Sequence, residues 1–289
     1  MGGKVPPEGI KTLVKMSKPE GKFSFNITEK IINIKNETLE NEKLIIPSFF
    51  EGGNNFVEKK DYISKQAKSI QRKKSIKYEI NFLKSKESKG ELKINCILIN
   101  KCKGEWECIL NDEEIESEIP KDIKDNKNYF KIEAERIIKQ YDEEHKNDNF
   151  EITDIAKIGK WINKNIEYVP DYSKKIELTA IDILKYKKGV CFHYTTLFNA
   201  FIYSLGYQCI YVSGYANNES DVFSKTDSHS WSLIKINDKW FPFDATWGIF
   251  SGKLPVDHIF CSFFMKTVLK EGSKNIKLEN SIVKGKYLE

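Results

Sequence analysis

The sequence lacks several features that mark large classes of protein. None of its six cysteines forms a Cys-x-x-Cys pair, which argues against a zinc site of the ribbon or finger type. No apolar run is long enough to span a bilayer, and Met1–Pro7 lack the apolar stretch of a secretory signal. A disulfide framework is not expected in a chain of this size without secretion. We therefore expect a cytoplasmic protein with no membrane partner.

A strong excess of one charge is also missing. The chain has 47 basic and 42 acidic residues, which leaves a net charge of +5. Nucleic-acid binding requires a clustered basic face, whereas the densest basic run, Lys68–Lys77, is interrupted by serine and glutamine and is typical of a solvated surface. We expect no nucleic-acid partner. We also expect no cofactor and no bound metal.

Hydrophobic residues make up 40% of the chain, with 18 Phe and 13 Tyr, so a large core can form. The first 125 residues are rich in Lys, Asn, Glu and Ile, and alternating patterns predict strands over Lys77–Leu83 and Leu92–Asn100. Lys103-Gly104 predicts a hairpin turn into a further strand over Glu105–Leu110. We interpret residues 1–125 as a β-rich accessory region that is partly flexible, with the first 20 residues poorly ordered.

Residues 126–289 are predicted to form a second, mixed domain that begins with helices. Phe130–Tyr141 has a helical pattern, and Thr153 is a candidate N-cap for the next helix. Thr179 and Asp182 have the spacing of a capping box. Strands are then predicted over Cys209–Ser213, Ser230–Ile236 and Lys239–Thr246.

The helical signal is clearest directly after Cys191. The apolar residues that share one face of this helix are Tyr194, Leu197, Phe198, Phe201, Ile202 and Leu205. Gly206 follows where a C′ glycine belongs. Cys191 is thus expected at the N-terminus of a buried helix, where the helix dipole favours a thiolate and unpaired N–H groups can stabilise an oxyanion. Cys209, in a strand, has no such setting.

A thiol nucleophile needs a base, and the sequence contains four histidines. His145 lies in a charged stretch, and His193 lies on a different side of the helix from Cys191. His258 follows the last predicted strand. His229 begins a strand and is therefore the candidate base.

The predicted hairpin around Asn237-Asp238 indicates which carboxylate lies beside His229. With these two residues as the loop, His229 and Asp244 lie on one face as diagonal neighbours, about 7–8 Å apart between backbones. Asp244 could then orient one imidazole nitrogen and leave the other for a thiol. A shift of the strand pairing by one residue would place His229 and Asp244 on opposite faces. Pro242 has no N–H to donate, so its strand must be an edge strand or irregular at that point. One Cys, one His and one Asp in this order occur by chance in most chains of this size. The hypothesis of a catalytic triad therefore depends on their predicted positions, with the Cys at a helix start and the His and Asp on one hairpin.

Eight segments in order resemble the transglutaminase-like superfamily, especially its kyphoscoliosis-peptidase-like and microbial branches, over about residues 130 to 268. They are Ile155–Ile162, Asn165–Tyr168, Thr179-Ala180, Lys188–Cys191, Leu205–Tyr207, Tyr211–Gly214, His229–Trp231 and Lys239–Trp247. The resemblance implies an α+β, papain-like fold with Cys191 as nucleophile, His229 as base and Asp244 as the residue that orients it.

The resemblance leaves some roles open. Trp247 would either help to bury the His229–Asp244 bond or serve as an ordinary core residue. The family's second oxyanion donor lies upstream of the cysteine, and Trp161, Asn165 and Tyr168 are unassigned candidates. Residues 217–227 form a polar insertion that could rim the site. Nothing indicates the calcium sites of animal transglutaminases.

Three functions fit these residues. The first is a thiol peptidase that cleaves protein or peptide amide bonds through a thioester acyl-enzyme. The second is an acyl transferase, a transglutaminase, in which an amine replaces water. The third is a non-catalytic scaffold of the kind that this superfamily contributes to cytoskeletal assemblies, and the intact Cys191, His229 and Asp244 argue against it. A cytoskeletal or other protein partner would bind through the N-terminal region.

Overall fold

The computed structural model describes residues 18–33, 42–45, 55–63, 67–72, 75–80, 89–102, 104–106, 108, 110, 112–146, 153–217, 222–262 and 276–288. The first 17 residues, expected to be poorly ordered, lie outside this set. So do part of the basic run Lys68–Lys77 and the end of the strand expected over Lys77–Leu83.

The N-terminal region is rich in antiparallel strands. They are β1 (Glu20–Asn33), β2 (Glu42–Ile45), β3 (Asn55–Ile63), β4 (Ala67–Arg72), β5 (Ser75–Ile80) and β6 (Lys89–Lys101). The strand expected over Leu92–Asn100 is confirmed as part of β6, and its alternation buries Cys96, Leu98 and Asn100.

The hairpin expected at Lys103-Gly104 is wrong. β6 pairs with β1 and β3, and the described residues from 104 to 110 contain only one bridging residue, Trp106. The Trp106 N–H donates to the Trp240 carbonyl over 2.8 Å, and its indole is buried edge-on to Trp231 and Phe260. Burial of a large indole in the core draws the chain away from the sheet.

Six helices are described: α1 (Asp112–Glu118), α2 (Lys121–Asp125), α3 (Lys127–Glu144), α4 (Asp154–Asn165), α5 (Ala180–Tyr186) and α6 (Cys191–Ser204). The cap at Thr153 is confirmed, because its Oγ1 accepts the Ala156 N–H over 3.3 Å. The capping box of Thr179 and Asp182 is confirmed as well. Within the described part of the chain, no helix has the length and apolarity needed to cross a membrane.

The sheet beneath α6 has the strand order β12-β11-β9-β13. Its members are β9 (Cys209–Ala216), β11 (Ser228–Ile236), β12 (Lys239–Phe243) and β13 (His258–Ser262). The helix packs on β9 and β11, and its apolar face joins a buried cluster that also includes α3, α4 and α5. Pro242 lies on β12, an edge strand, as the missing N–H requires.

The C-terminal strand β14 (Ile276–Tyr287) pairs with β1 in a sheet of order β10-β14-β1-β6-β3. Its neighbour β10 (Val222–Ser224) belongs to the polar segment expected to rim the site. That expectation is wrong for residues 222–224, because β10 pairs with β14 and buries Phe223 against Phe23 and Phe25. Residues 218–221 lie outside the described set. The domain division near residue 125 stays a prediction.

Candidate active site

Cys191 is the first residue of α6, as the sequence predicts. The chain reaches it through a short parallel pair, β7 (Glu167–Tyr168) with β8 (Lys188–Gly189). An ideal Cβ on Gly189 would lie 2.5 Å from the Cβ of His193. A glycine is therefore needed where the backbone turns into the helix.

His193 has a structural role at this helix start. Its Nδ1 accepts the Val190 N–H over 3.1 Å, so Nε2 carries the proton and donates to the Lys175 carbonyl over 2.9 Å. Burial lowers the pKa of His193, which favours this neutral form. The sequence places His193 on another side of the helix from Cys191, which argues against it as the base, and these contacts give it a packing role.

The Cys191 thiol is 5% exposed and lies between two polar side chains. Ser230 Oγ donates to Sγ over 3.5 Å, and the imidazole of His229 approaches the same sulfur. Burial by itself raises the pKa of Cys191, but the charge and hydrogen bond of His229, with the bond from Ser230, lower it overall. The surroundings thus favour a thiolate.

The hairpin that carries His229 has the predicted register. Ile236 pairs with Lys239 and Ser232 with Phe243, and the loop residues Asn237 and Asp238 have φ angles of 49° and 62°. These left-handed conformations are those of a type I′ turn.

The expected strand over Lys239–Thr246 is too long, because the ladder ends at Phe243. Asp244 instead closes a turn by pairing with Ile249, with backbone hydrogen bonds of 3.0 and 2.9 Å. Its Oδ1 accepts the N–H groups of Thr246 and Trp247 over 2.8 and 3.1 Å. The Asp244 carboxylate thus accepts backbone N–H groups that a continued strand would use for pairing, and the strand ends before it.

His229 and Asp244 are brought together, with His229 Nε2 2.7 Å from Asp244 Oδ2. Burial alone would raise the pKa of Asp244, but the charge of His229 and the hydrogen bonds of His229 and His258 hold it below its usual range. Burial likewise lowers the pKa of His229, and Asp244 and Cys191 together outweigh it and raise the value to about 10. Since Nε2 is bonded to Asp244, Nδ1 is the nitrogen available to the thiol.

His258 is the residue that sequence reasoning missed. It is fully buried, and its Nε2 lies 3.1 Å from Asp244 Oδ2, the oxygen that also binds His229. Its Nδ1 lies 3.2 Å from Asp257 Oδ1. The only local signal was an Asp-His pair at the start of an apolar strand, because the pairing that places His258 here joins distant segments.

Two indoles enclose these histidines. The Trp247 ring lies 4.9 Å from His229 and 4.6 Å from His258, and Trp231 lies 5.3 Å from His258. Of the two readings of Trp247, its place against both imidazoles favours shielding of the His229–Asp244 bond. A low local dielectric strengthens such a bond.

His229, Asp244 and His258 also form the one set among the described residues with ligand atoms close enough to hold a metal ion, within 4.8 Å of one another. A cation there would displace the protons that join both histidines to Asp244. The hydrogen-bonded network and a metal site therefore exclude each other.

Tyr168 is the upstream candidate that lies beside Cys191. Its hydroxyl is buried next to the Cys191 backbone N–H and makes no hydrogen bond of ordinary geometry within the described structure. Burial, followed by the nearby Cys191, raises the pKa of Tyr168 far above its usual value, so the hydroxyl keeps its proton. Trp161 instead packs against Phe201, and Asn165 donates to the Trp161 carbonyl.

The remaining candidates lie in other settings. His145 stacks on Tyr141 at 3.9 Å and bonds to the Tyr141 carbonyl. Cys209 is buried with its thiol 3.5 Å from the Asn199 carbonyl, and burial raises its pKa to about 12. It lacks the activation that surrounds Cys191.

Comparison with known proteins finds the same superfamily that the sequence resembles. Residues 138–245 match the family model described as the transglutaminase-like superfamily. This part of the chain resembles a transglutaminase-like domain. The kyphoscoliosis peptidases of Mus musculus and Homo sapiens are each 30% identical to this chain over 101 residues. Each match covers 32% of this chain and only 15% of the relative.

The chain is similar in structure to a protein from Cytophaga hutchinsonii whose solved structure has been provisionally assigned as a cysteine protease. The two structures superpose with a TM-score of 0.59 at 16% identity, over 94% of this chain and 92% of the other. The α+β, papain-like fold with a β-rich N-terminal region is thereby confirmed. Cys191, His229 and Asp244 lie inside the matched range 138–245, whereas His258 lies beyond it.

Proposed function

We propose that this chain is a thiol enzyme that hydrolyses amide bonds of proteins or peptides. In this proposal Cys191 is the nucleophile, His229 the general acid and base, and Asp244 the residue that orients His229. The observation that carries it is the position of the His229 ring, which is bonded to Asp244 Oδ2 over 2.7 Å and lies close enough to the Cys191 thiol to lower its pKa. A buried imidazole held in this way can move a proton at the sulfur without changing its tautomer.

The reaction begins with a thiolate and a protonated imidazole. Cys191 Sγ attacks the amide carbonyl carbon, so a C–S bond forms and the carbonyl oxygen becomes an oxyanion. His229 then gives its Nδ1 proton to the departing nitrogen as the C–N bond breaks, which leaves a thioester and a free amine. Water attacks the thioester while His229 takes one of its protons, the C–S bond breaks, and release of the acid restores the thiolate and the protonated imidazole.

Two donors are suited to stabilise the oxyanion. The backbone N–H of Cys191 belongs to the first turn of α6, where N–H groups have no intrahelical partner. The Tyr168 hydroxyl lies beside it and remains protonated. We assign both to the oxyanion site, because each can donate to an oxygen formed next to Sγ.

Activity on defined peptides separates hydrolysis from acyl transfer. The full chain is incubated with glutamine-containing peptides, with and without a primary amine, and new peptide termini, ammonia and amine conjugates are measured. New termini that disappear in Cys191→Ala but not in Cys209→Ala support the peptidase. Amine conjugates that depend on Cys191 instead indicate a transglutaminase.

Alkylation by iodoacetamide at neutral pH separates both enzymes from a scaffold. Selective modification of Cys191, slowed in His229→Ala, supports an activated thiolate. Modification of Cys191 no faster than that of Cys209 or Cys261, without turnover on any peptide, would contradict the proposal and favour a binding protein.

A further inference from the structure

His258 and His229 lie on the two strands that flank β9. His229 pairs with Gly214 and His258 with Ala216, two positions further along the same strand. Residues two apart on a strand share a face, so both imidazoles rise from one side of the sheet.

The small residues of β9 allow these rings to approach. A Cβ on Gly214 would lie 2.1 Å from the Ile259 carbonyl oxygen and 2.6 Å from Trp231 Cη2, so no larger residue fits. The ring centroids of His229 and His258 are 5.6 Å apart, and both reach Asp244.

Asp244 is held at four points. Oδ1 accepts two backbone N–H groups, and Oδ2 accepts one hydrogen bond from each histidine. A carboxylate only accepts, so His258 must carry a proton on Nε2 to make this contact. Without His258, Oδ2 would keep a single partner within a fully buried pocket.

The sheet that contains β1, β3 and β6, the N-terminal sheet, holds His258 in place. Asn100 of β6 is fully buried, and its Nδ2 donates to the Val256 carbonyl over 2.5 Å and to the His258 carbonyl over 2.9 Å. Both amide protons are thereby used on the segment that enters β13. The contact joins residues 156 and 158 positions apart in sequence.

We propose that His258 is a positioning residue that fixes Asp244, and through it His229, opposite Cys191. The N-terminal sheet contributes to the site by holding His258 through Asn100, so it is part of the catalytic framework as well as a candidate partner surface. The catalytic meaning of this arrangement rests on the proposed function. The positioning of Asp244 and His229 by His258 does not depend on that function, because the His229–Asp244 hydrogen bond can be observed whether or not the protein is an enzyme.

Nitrogen-15 histidine NMR on the full chain tests the proposal, since only four histidines contribute signals. The wild type should show a protonated Nε2 on His229 with a slowly exchanging proton. His258→Phe should speed exchange of that proton and slow Cys191 alkylation, each roughly tenfold or more, because small displacements at a reacting centre have large effects on rate. His258→Gln, whose amide nitrogen can occupy the place of Nε2, should restore both.

The matched control is His145→Phe, which removes a histidine that lies outside this network. A second variant and its control change residues of β6. Asn100→Leu should have the same effects on proton exchange and alkylation as His258→Phe, whereas Asn95→Ala, on the opposite face of β6, should not. Combining Asn100→Leu with His258→Phe should add little to either change, as expected for residues acting through one contact.

An unchanged His229 proton and an unchanged alkylation rate in His258→Phe would overturn the proposal, even if the variant melts at a lower temperature. Failure of the proposed function looks different. In that case the wild-type Cys191 is alkylated no faster than Cys209, while the NMR signal of His229 still responds to His258→Phe and supports the positioning role.

Discussion

The side chain of His193 fills the space that a Cβ on Gly189 would need, with only 2.5 Å between the two positions. We therefore expect Gly189→Ala to lower the free energy of unfolding by about 1–3 kcal/mol, as overpacked sites do, despite the entropy that alanine removes from the unfolded chain. Urea denaturation measures this.

Gly104→Ala is the matched control, because a Cβ there would make only contacts of ordinary length, with the flexible Lys253 side chain at 3.4 Å and the Gly252 carbonyl oxygen at 3.5 Å. Equal stability of the two variants would contradict the packing account of Gly189.

The pH dependence of alkylation should differ between two buried cysteines. The pKa of Cys191 is lowered from 9.0, so its reaction with iodoacetamide should remain fast below pH 9 and decline only on acidification. The pKa of Cys209 is raised to about 12, so it should react only in strong alkali. Mass spectrometry of each adduct across pH gives both profiles.

His229→Ala should move the acid limb of the Cys191 profile to higher pH, because the charge and hydrogen bond that favour the thiolate are lost. An acid limb at the same pH in this variant would exclude His229 as the partner of the thiol.

The charged form of His229 should make stability depend on pH. Its pKa is raised from 6.5 to about 10 on folding, so its contribution is complete below pH 6.5 and disappears as pH rises to about 10. We expect the loss of unfolding free energy caused by His229→Gln to be larger at pH 6 than at pH 10. In a Cys191→Ala background, which removes the titrating thiol, the contribution should disappear at a lower pH, because Cys191 helps to raise the pKa of His229.

Tyr168→Phe should separate two reactions of Cys191. Acylation by p-nitrophenyl acetate forms an oxyanion and should slow about 10²-fold, in the range seen for loss of one oxyanion donor. Alkylation by iodoacetamide forms none and should keep its rate. Tyr207→Phe, at a side chain exposed by 36%, is the control. Equal slowing of both reactions would assign Tyr168 a purely structural role.

Chelators should leave the site intact. Because both histidines already donate to Asp244 Oδ2, EDTA or phenanthroline is expected to change neither Cys191 alkylation nor thermal stability. A loss that zinc restores would show that His229, Asp244 and His258 hold a cation instead.

Local features of this site could be read from the sequence. The start of α6 at Cys191 follows from a glycine, an apolar helical face and Gly206 at φ 94°, all within one segment. The register of the His229 hairpin follows from a two-residue turn, whose φ angles leave one way to pair the adjoining strands.

Two features of the site could not be predicted from neighbouring residues alone. The strand stops at Phe243 because the Asp244 side chain binds the following N–H groups, and Asn163 of α4 binds the Ala245 and Thr246 carbonyls. The choice of Tyr168 over Trp161 and Asn165 required the parallel pairing of β7 with β8, which places Tyr168 beside Gly189.

The sequence by itself thus determined the candidate nucleophile, its helix and the hairpin that offers His229 and Asp244, because helix and turn preferences act between neighbouring residues. Tertiary structure alone decided that His258 shares Asp244 with His229 and that Asn100 supports it. Those contacts depend on β13 lying beside β9 and on a sheet more than 150 residues away in sequence, as the 156-residue separation of Asn100 and Val256 records. Pairing over such distances is set by the packing of the whole core and leaves no pattern in the segments that it joins.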